Sequence, residues 1–243
     1  MRVLAVIPAR LGSTRLPRKP LREIAGQPMI VHVYRAVRSS PLLRPEDVMV
    51  ATDAEEILRL CRGYGWNAVM TSAQHRSGTE RVNEVARTTQ ADVYLNIQGD
   101  EPLTRPEHIA ALLELMRDPQ VQVGTLKTPA AAEDVNNPNA VKVVTDSSGR
   151  ALYFSRAAIP FHRDGAGSRC YKHLGFYAYR PQALRRFCAL SESPLERRER
   201  LEQLRFLENG IPIHVAQTPF DTIGVDTEED LRRVERVLQH LAI

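Results

Sequence analysis

Short, almost continuously apolar runs separated by amphipathic stretches set the strongest limit on what this chain can fold into. Over the first 127 residues the runs are 3–7, 48–51, 68–70, 93–97 and 123–126. Runs of that length with no polar face are the pattern of parallel strands covered on both sides. The stretches 29–38, 55–62, 79–88 and 107–116 between them have helical spacing. Asp53 stands at an N-cap position, and Ser77 with Glu80 has the spacing of a capping box. This βαβα order predicts an α/β fold with a doubly wound, mostly parallel sheet that holds its ligands at the carboxyl ends of the strands.

After Pro129 the rhythm changes. Residues 141–145, 151–154 and 171–179 read as strands with no helix between them. Two helices are expected at 194–208, capped by Ser193 with Glu196, and at 228–240, capped by Thr227 with Asp230. The last places Leu231, Val234, Val237, Leu238 and Leu241 on one stripe, as a helix docked on a core does. A chain of 243 residues suits one large α/β domain and needs no disulfide staples. Cys61, Cys170 and Cys188 are far apart and share no metal-ligand spacing with a histidine. A reduced, cytoplasmic protein is expected, without a signal peptide or a membrane span.

The formal charge of +4 invites a nucleic-acid reading, which its distribution opposes. Residues 1–40 hold eight bases and one acid, Glu23; the rest of the chain, with 25 bases against 28 acids, sums to −3. A basic patch confined to one glycine-containing loop fits a small anion better than a long polyanion. Signatures of nucleic-acid-binding modules are missing.

That loop is Ile7-Pro8-Ala9-Arg10-Leu11-Gly12-Ser13-Thr14-Arg15-Leu16-Pro17-Arg18-Lys19-Pro20. Backbone N–H groups near Gly12 and Ser13, with four cationic side chains, are what a nucleoside triphosphate requires. A merely solvated basic turn is the alternative. The loop is neither a Walker loop nor a G-x-G-x-x-G turn. The second motif is Asn96-Ile97-Gln98-Gly99-Asp100-Glu101-Pro102, at the end of the fourth apolar run. Asp100 there can bind Mg²⁺ or cap a turn. In the third, Gly224-Val225-Asp226-Thr227, Asp226 is either a second metal ligand or an acid favoured by the start of a helix. Three of the four lysines, Lys19, Lys142 and Lys172, fall inside the motifs discussed here.

Across nearly its whole length the chain resembles the 3-deoxy-manno-octulosonate (Kdo) cytidylyltransferases, or CMP-Kdo synthetases. The resemblance lies in IPARLGSTRLPRKPL (7–21), VATD (50–53), MTSAQHRSGTERV (70–82), NIQGDEP (96–102), NPNAVKVV (137–144), ALYFSRAAIP (151–160), KHLGFYAYR (172–180), LEQLR (201–205) and GVDT (224–227). The phosphate loop and NIQGDEP are shared with sialic-acid cytidylyltransferases; NPNAVKVV, ALYFSRAAIP and KHLGFYAYR point to the Kdo branch.

The resemblance implies a nucleotide-diphospho-sugar transferase-like fold with an inserted β-rich segment for dimerisation and sugar binding. It implies a nucleotide-binding half at 1–129, a sugar-binding and dimer half at 130–226, and a C-terminal helix at 227–243. It implies CMP transfer from CTP to Kdo with release of pyrophosphate, activating Kdo for lipopolysaccharide synthesis, with Mg²⁺ as cofactor and a homodimer as the assembly. Arg10, Ser13, Arg15 and Lys19 would hold the triphosphate, with Arg10, Lys19 and Asp100 at the chemistry. Ser77 and Gly78 would flank the cytosine. Asp100 and Asp226 would bind the metal. Gln98, Arg156, His173, Tyr177, Glu202 and Gln203 would meet the sugar, His173 and Tyr177 from one face of a strand. Two features depart from the family pattern: Arg18 stands where family members usually have glycine, and 161–171 is shorter than in some relatives. Other readings left open are another acid sugar, such as sialic acid or an amino analogue of Kdo, a nonenzymatic nucleotide sensor, and a nucleic-acid-binding module.

Overall fold

The computed structural model describes residues 1–12, 15–163 and 170–241. The chain forms two compact units, Met1–Ala110 with Thr222–Ile243, and Ala111–Asp221.

The first unit opens with β1 (Val3–Ala9), a small hairpin of β2 (Glu23–Ile24) and β3 (Gln27–Pro28), and α1 (Met29–Arg38). There follow β4 (Val48–Thr52), α2 (Glu55–Gly63), β5 (Ala68–Met70), α3 (Gly78–Thr88) and β6 (Val93–Asn96). The unit boundary falls within α4 (Pro106–Leu115). Four strands pair in parallel in the order β6, β1, β4, β5. Ala5, Val6, Ile7, Val50, Ala51, Val93 and Leu95 are fully buried, so successive side chains are covered on both faces. Each large apolar side chain of that set contributes about 1.5–3 kcal/mol by leaving water. That is why the runs lack a polar alternation.

The second unit contains β7 (Val123–Pro129), α5 (Ala132–Val135), β8 (Lys142–Thr145), β9 (Ala151–Ser155) and β10 (Tyr171–Tyr179). It continues with α6 (Pro181–Ala189), α7 (Pro194–Glu199), α8 (Leu204–Glu208) and β11 (His214–Gln217). β10 runs antiparallel to β7, with an irregularity between Leu174 and Tyr177, and β11 lies parallel to β7. β8 pairs antiparallel with β9 and meets β10 at Lys142 and Lys172.

The helix expected at 194–208 is two helices. Arg200 ends α7 in a left-handed conformation, φ 55°. Turning there lets Glu196, which already caps α7 by accepting from Ser193 N at 3.1 Å, also accept from Arg205 Nε at 2.7 Å and Nη2 at 2.5 Å. Both members of this pair are buried, and a buried charge without its partner is far costlier than one bent helix. Glu202 and Gln203 therefore lie in the connection between α7 and α8, not on a continuous helix as their spacing had implied.

The first unit closes with α9 (Glu228–Leu241). Thr227 Oγ1 accepts from Asp230 N at 3.2 Å while Asp230 Oδ2 accepts from Thr227 N at 2.8 Å, a reciprocal cap. Leu231 and Val234 share a core with Leu16, Ile24, Met29 and Val225, and Leu238 packs against it. Among the described residues no helix is long and apolar enough to cross a membrane.

Candidate active site

The loop after β1 owes its shape to two buried anchors, Leu16 and Pro20. Between and before them, Arg10, Arg15 and Lys19 line a cleft of about 220 Å³ in the first unit. Ser13 lies outside the described residues. Arg18 sits in the left-handed region, φ 57°, where glycine carries no Cβ penalty. Its guanidinium pairs with Glu56 and is not among the cleft lining, so its extra charge stands away from the site.

The second motif reaches the cleft because Gly99 has no side chain. Gly99 N donates to Pro8 O at 3.1 Å, and a Cβ on Gly99 would stand 2.7 Å from that same oxygen. Val225 N then donates to Asp100 O at 2.9 Å, docking the third motif on the second. Glu101 Oε2 accepts from Thr222 Oγ1 at 2.8 Å beneath it. The outcome is that Lys19 Nζ donates to Asp100 Oδ2 at 2.6 Å and to Asp226 Oδ1 at 2.9 Å. Arg15 Nη2 adds a bond to Asp226 Oδ2 at 3.0 Å. Both carboxylates thus face cations in the cleft, rather than capping a turn or a helix start.

Burial by itself would lower the Lys19 ammonium, but Asp100 and then Asp226 raise it above its ordinary value. Burial by itself would raise the Asp226 carboxyl, yet the hydrogen bond and charge of Lys19, with Arg15, hold it below the usual carboxylate range. At neutral pH Lys19 and Asp226 are both charged, and each holds the other in that state.

The opposite wall comes from the start of α3. Ser77 Oγ accepts from Glu80 N at 3.3 Å. The Glu80 carboxylate turns to Arg76 N at 2.8 Å, so the expected capping box is completed on one side only. Gly78 allows a close approach, since a Cβ there would lie 2.9 Å from Gln98 Nε2. Gln98 in turn donates to Asn96 Oδ1 at 3.1 Å. His75, paired with Glu84, and the buried Arg81 complete this wall. Asp53 is not the cap its position suggested: Ala54 holds that place, and the Asp53 oxygens serve Leu11 N and Arg81.

In the second unit, Arg156 donates from Nε to Glu199 O at 2.8 Å and from Nη1 to Pro138 O at 2.9 Å. Lys142, fully buried, donates to the carbonyls of Asn137, Ala140 and Arg156 at 2.7, 2.6 and 2.8 Å. It is an internal strut for this segment. His173 and Tyr177 do meet, with ring centres 5.5 Å apart, and both are buried. Burial and the neighbouring charges of Tyr179 and Glu202 raise the Tyr177 phenol well above its ordinary value.

Thr125 Oγ1 lies 2.7 Å from Phe176 O and 2.9 Å from His173 Nε2. A hydroxyl has one proton to give, so the network assigns that proton to Phe176 and the Nε2–H tautomer to His173. Burial lowers the His173 pKa from 6.5 to about 3. The folded state therefore keeps this imidazole neutral where the unfolded chain would take a proton. More protons are bound by the unfolded state between pH 6.5 and 3, so this contribution is full above pH 6.5 and is lost as pH falls. Melting temperature is expected to fall less steeply from pH 7 to pH 4 in His173→Gln than in the unaltered protein. Equal slopes would mean that His173 carries no such linkage.

Sequence reasoning missed Asp53, Arg81, Glu101 and Thr222 as organisers of the site. Asp53 and Arg81 lie inside motifs that were singled out, but nothing in their spacing shows that they touch.

The chain matches the family model described as Cytidylyltransferase over residues 4–215. The 3-deoxy-manno-octulosonate cytidylyltransferase of Koribacter versatilis (strain Ellin345) is 65% identical over 240 residues, covering 98% of this chain and 91% of the relative. That of Acidobacterium capsulatum is 60% identical over 239 residues, covering 98% and 97%. A solved structure described as CMP:2-keto-3-deoxy-manno-octonic acid synthetase complexed with CTP matches with a TM-score of 0.93 at 42% identity, covering 99% of each chain.

Proposed function

The chain belongs to the 3-deoxy-manno-octulosonate cytidylyltransferases, and on that premise we propose which of its residues carry each part of the reaction. The enzyme transfers CMP from CTP to Kdo and releases pyrophosphate. The observation that carries the assignment is the cationic cleft in which Lys19 spans Asp100 and Asp226. Arg10, Ser13, Arg15 and Lys19 hold the triphosphate, and Ser77 and Gly78 flank the cytosine. The anomeric hydroxyl of Kdo forms the new bond to the α phosphorus and gives up its proton to solvent water. The bond to the bridging oxygen breaks, and its electron pair leaves on pyrophosphate. Positioning and charge neutralisation supply the catalysis, with Arg10 and Lys19 countering charge on the leaving group.

Mg²⁺ fits the residues present. Two carboxylate oxygens converge on one cation in an open cleft. Among the described residues no third carboxylate, imidazole or thiolate joins them to close a cage. Magnesium prefers a site of that kind, completed by water and phosphate oxygens. Held by Asp100 and Asp226, it would supply Lewis-acid neutralisation of the triphosphate and a lowered pKa for the attacking hydroxyl.

For the sugar we assign Gln98 in the first unit and Arg156, His173, Tyr177, Glu202 and Gln203 in the second. His173, neutral by burial, serves there as a hydrogen-bonding group rather than a counter-charge. A homodimer in the cytoplasm, with the product feeding lipopolysaccharide synthesis, completes the proposal. The strongly exposed Leu152 and Phe161 of the second unit support a subunit interface.

Pyrophosphate release measured over a panel of nucleotides and acid sugars tests the reading. CTP with Kdo is expected to exceed every pairing with UTP, ATP, GTP or sialic acid by at least about 100-fold, since a site built to pair polar groups penalises a mismatched one heavily. A comparable rate with sialic acid would move the chain to the rival branch.

A further inference from the structure

Asp53 and Arg81 form a link that the assigned ligand groups leave unused. Asp53 follows β4 directly, and its two carboxylate oxygens serve different parts of the site. Oδ1 accepts from Leu11 N at 3.2 Å, in the loop that brings Arg10 and Arg15 to the cleft. Oδ2 accepts from Arg81 Nη2 at 2.8 Å. Arg81 is only 2% exposed. Its Nη1 donates to Thr71 Oγ1 and to Ser72 O, the latter at 3.3 Å, where the segment leading to Ser77 begins. Thr71 is itself fastened to β4, through N–H and Oγ1 donated to Thr52 O at 2.8 and 3.0 Å. One hydrogen-bonded path therefore runs from the backbone of the phosphate loop to the backbone of the opposite wall. It passes through a half-buried carboxylate and a buried guanidinium.

We propose that Asp53 and Arg81 are positioning residues that fix the separation between the triphosphate loop and the base-flanking segment, so that the cleft is shaped for CTP before the nucleotide arrives. This rests on the reading of the cleft as the CTP site. The chemistry of the pair suits that task. A carboxylate has an acceptor for each of two donors, whereas an amide has a single acceptor oxygen. An asparagine in place of Asp53 could keep Leu11 or Arg81 but not both. Arg81 serves Thr71 and Ser72 from Nη1 and Asp53 from Nη2, two nitrogens set apart by a rigid planar fork, whereas an ammonium would have to reach all three from a single point. The buried guanidinium also neutralises the Asp53 carboxylate, which would otherwise stand uncompensated against the backbone of the phosphate loop.

The test uses the whole enzyme and two near-isosteric variants, Asp53→Asn and Arg81→Lys, with steady-state kinetics in CTP and in Kdo and a thermal melt of each. Loss of one charge-assisted bond at the strut is expected to raise the KM for CTP about ten-fold or more. The KM for Kdo should stay within about two-fold, because no group assigned to the sugar is moved. A purely structural pair would instead lower the active fraction, so kcat would fall with both KM values unchanged. That result, or a parallel rise in both KM values, overturns the proposal. If one variant does not fold, the other carries the test. An unaltered enzyme that releases no pyrophosphate from CTP and Kdo would sink the functional reading itself, whereas a normal enzyme with an unchanged KM for CTP in the variants sinks only the strut.

Discussion

Replacing Lys19 with alanine is expected to lower turnover by about 1,000-fold or more and to destabilise the fold by about 1–3 kcal/mol. The loop position taken alone argues for a large kinetic effect with almost no cost in stability. The structure adds the second part. The Lys19 side chain is 15% exposed and spans Asp100 at 2.6 Å and Asp226 at 2.9 Å. Without it two carboxylates face each other, and the charge on the departing pyrophosphate loses a preorganised cation. The stability difference also has a defined pH window. Asp226 is held below its ordinary value, so its share is present above about pH 4 and is lost as pH falls further. Lys19 is raised, so its share is present below about pH 10.4 and is lost as pH climbs past that. The gap in melting temperature between the two proteins should therefore be widest near neutrality and should narrow toward pH 3. Pyrophosphate release and thermal melts at three pH values check both parts. A normal rate with a lowered melting temperature would make Lys19 a structural residue only.

Dialysis against a chelator is expected to abolish pyrophosphate release, and Mg²⁺ to restore it. Asp100→Asn and Asp226→Asn should each lower kcat/KM by roughly 10²–10⁴-fold at a fixed Mg²⁺ concentration, since these carboxylates are the groups proposed to hold that ion. Both aspartates also bind Lys19, so a loss of rate by itself does not identify the cause. A Mg²⁺ titration separates the two effects. A weakened metal site raises the Mg²⁺ concentration needed for half-maximal rate, whereas a misplaced lysine lowers the plateau without shifting that midpoint. Full activity after thorough metal removal would sink the role given to Asp100 and Asp226.

Much of the first unit was legible beforehand because its strands carry one message. Val93 to Leu95 and Val48 to Ala51 are apolar on successive positions, and only strands covered on both faces need that. In α9, where the side chain of Leu241 lies outside the described residues, the Leu231, Val234 and Leu238 stripe and the Thr227–Asp230 cap were legible because both follow from local helical spacing. The second unit was less so. β11 has too short an apolar run to announce a strand, and the break at Arg200 follows from a partner nine residues away, when Arg205 draws Glu196 back. Lysine scarcity drew attention to motif positions without telling their roles apart: Lys19 faces the cleft, whereas Lys142 is spent inside on three carbonyls.

By itself the sequence determined the α/β class, the family, the order of the strands and helices in the first half, and the three motifs that reach the cleft. Local periodicity and residue chemistry suffice for these, because each is set within a few residues of chain. The tertiary structure alone decided that Lys19 joins Asp100 to Asp226, that Arg18 turns away to Glu56, and that Asp53 ties the phosphate loop to Arg81. These pairs are separated by 28 to 207 positions. A hydrogen bond forms within about 3 Å in space, a distance that only the paired strands and the docked 224–227 segment bring about.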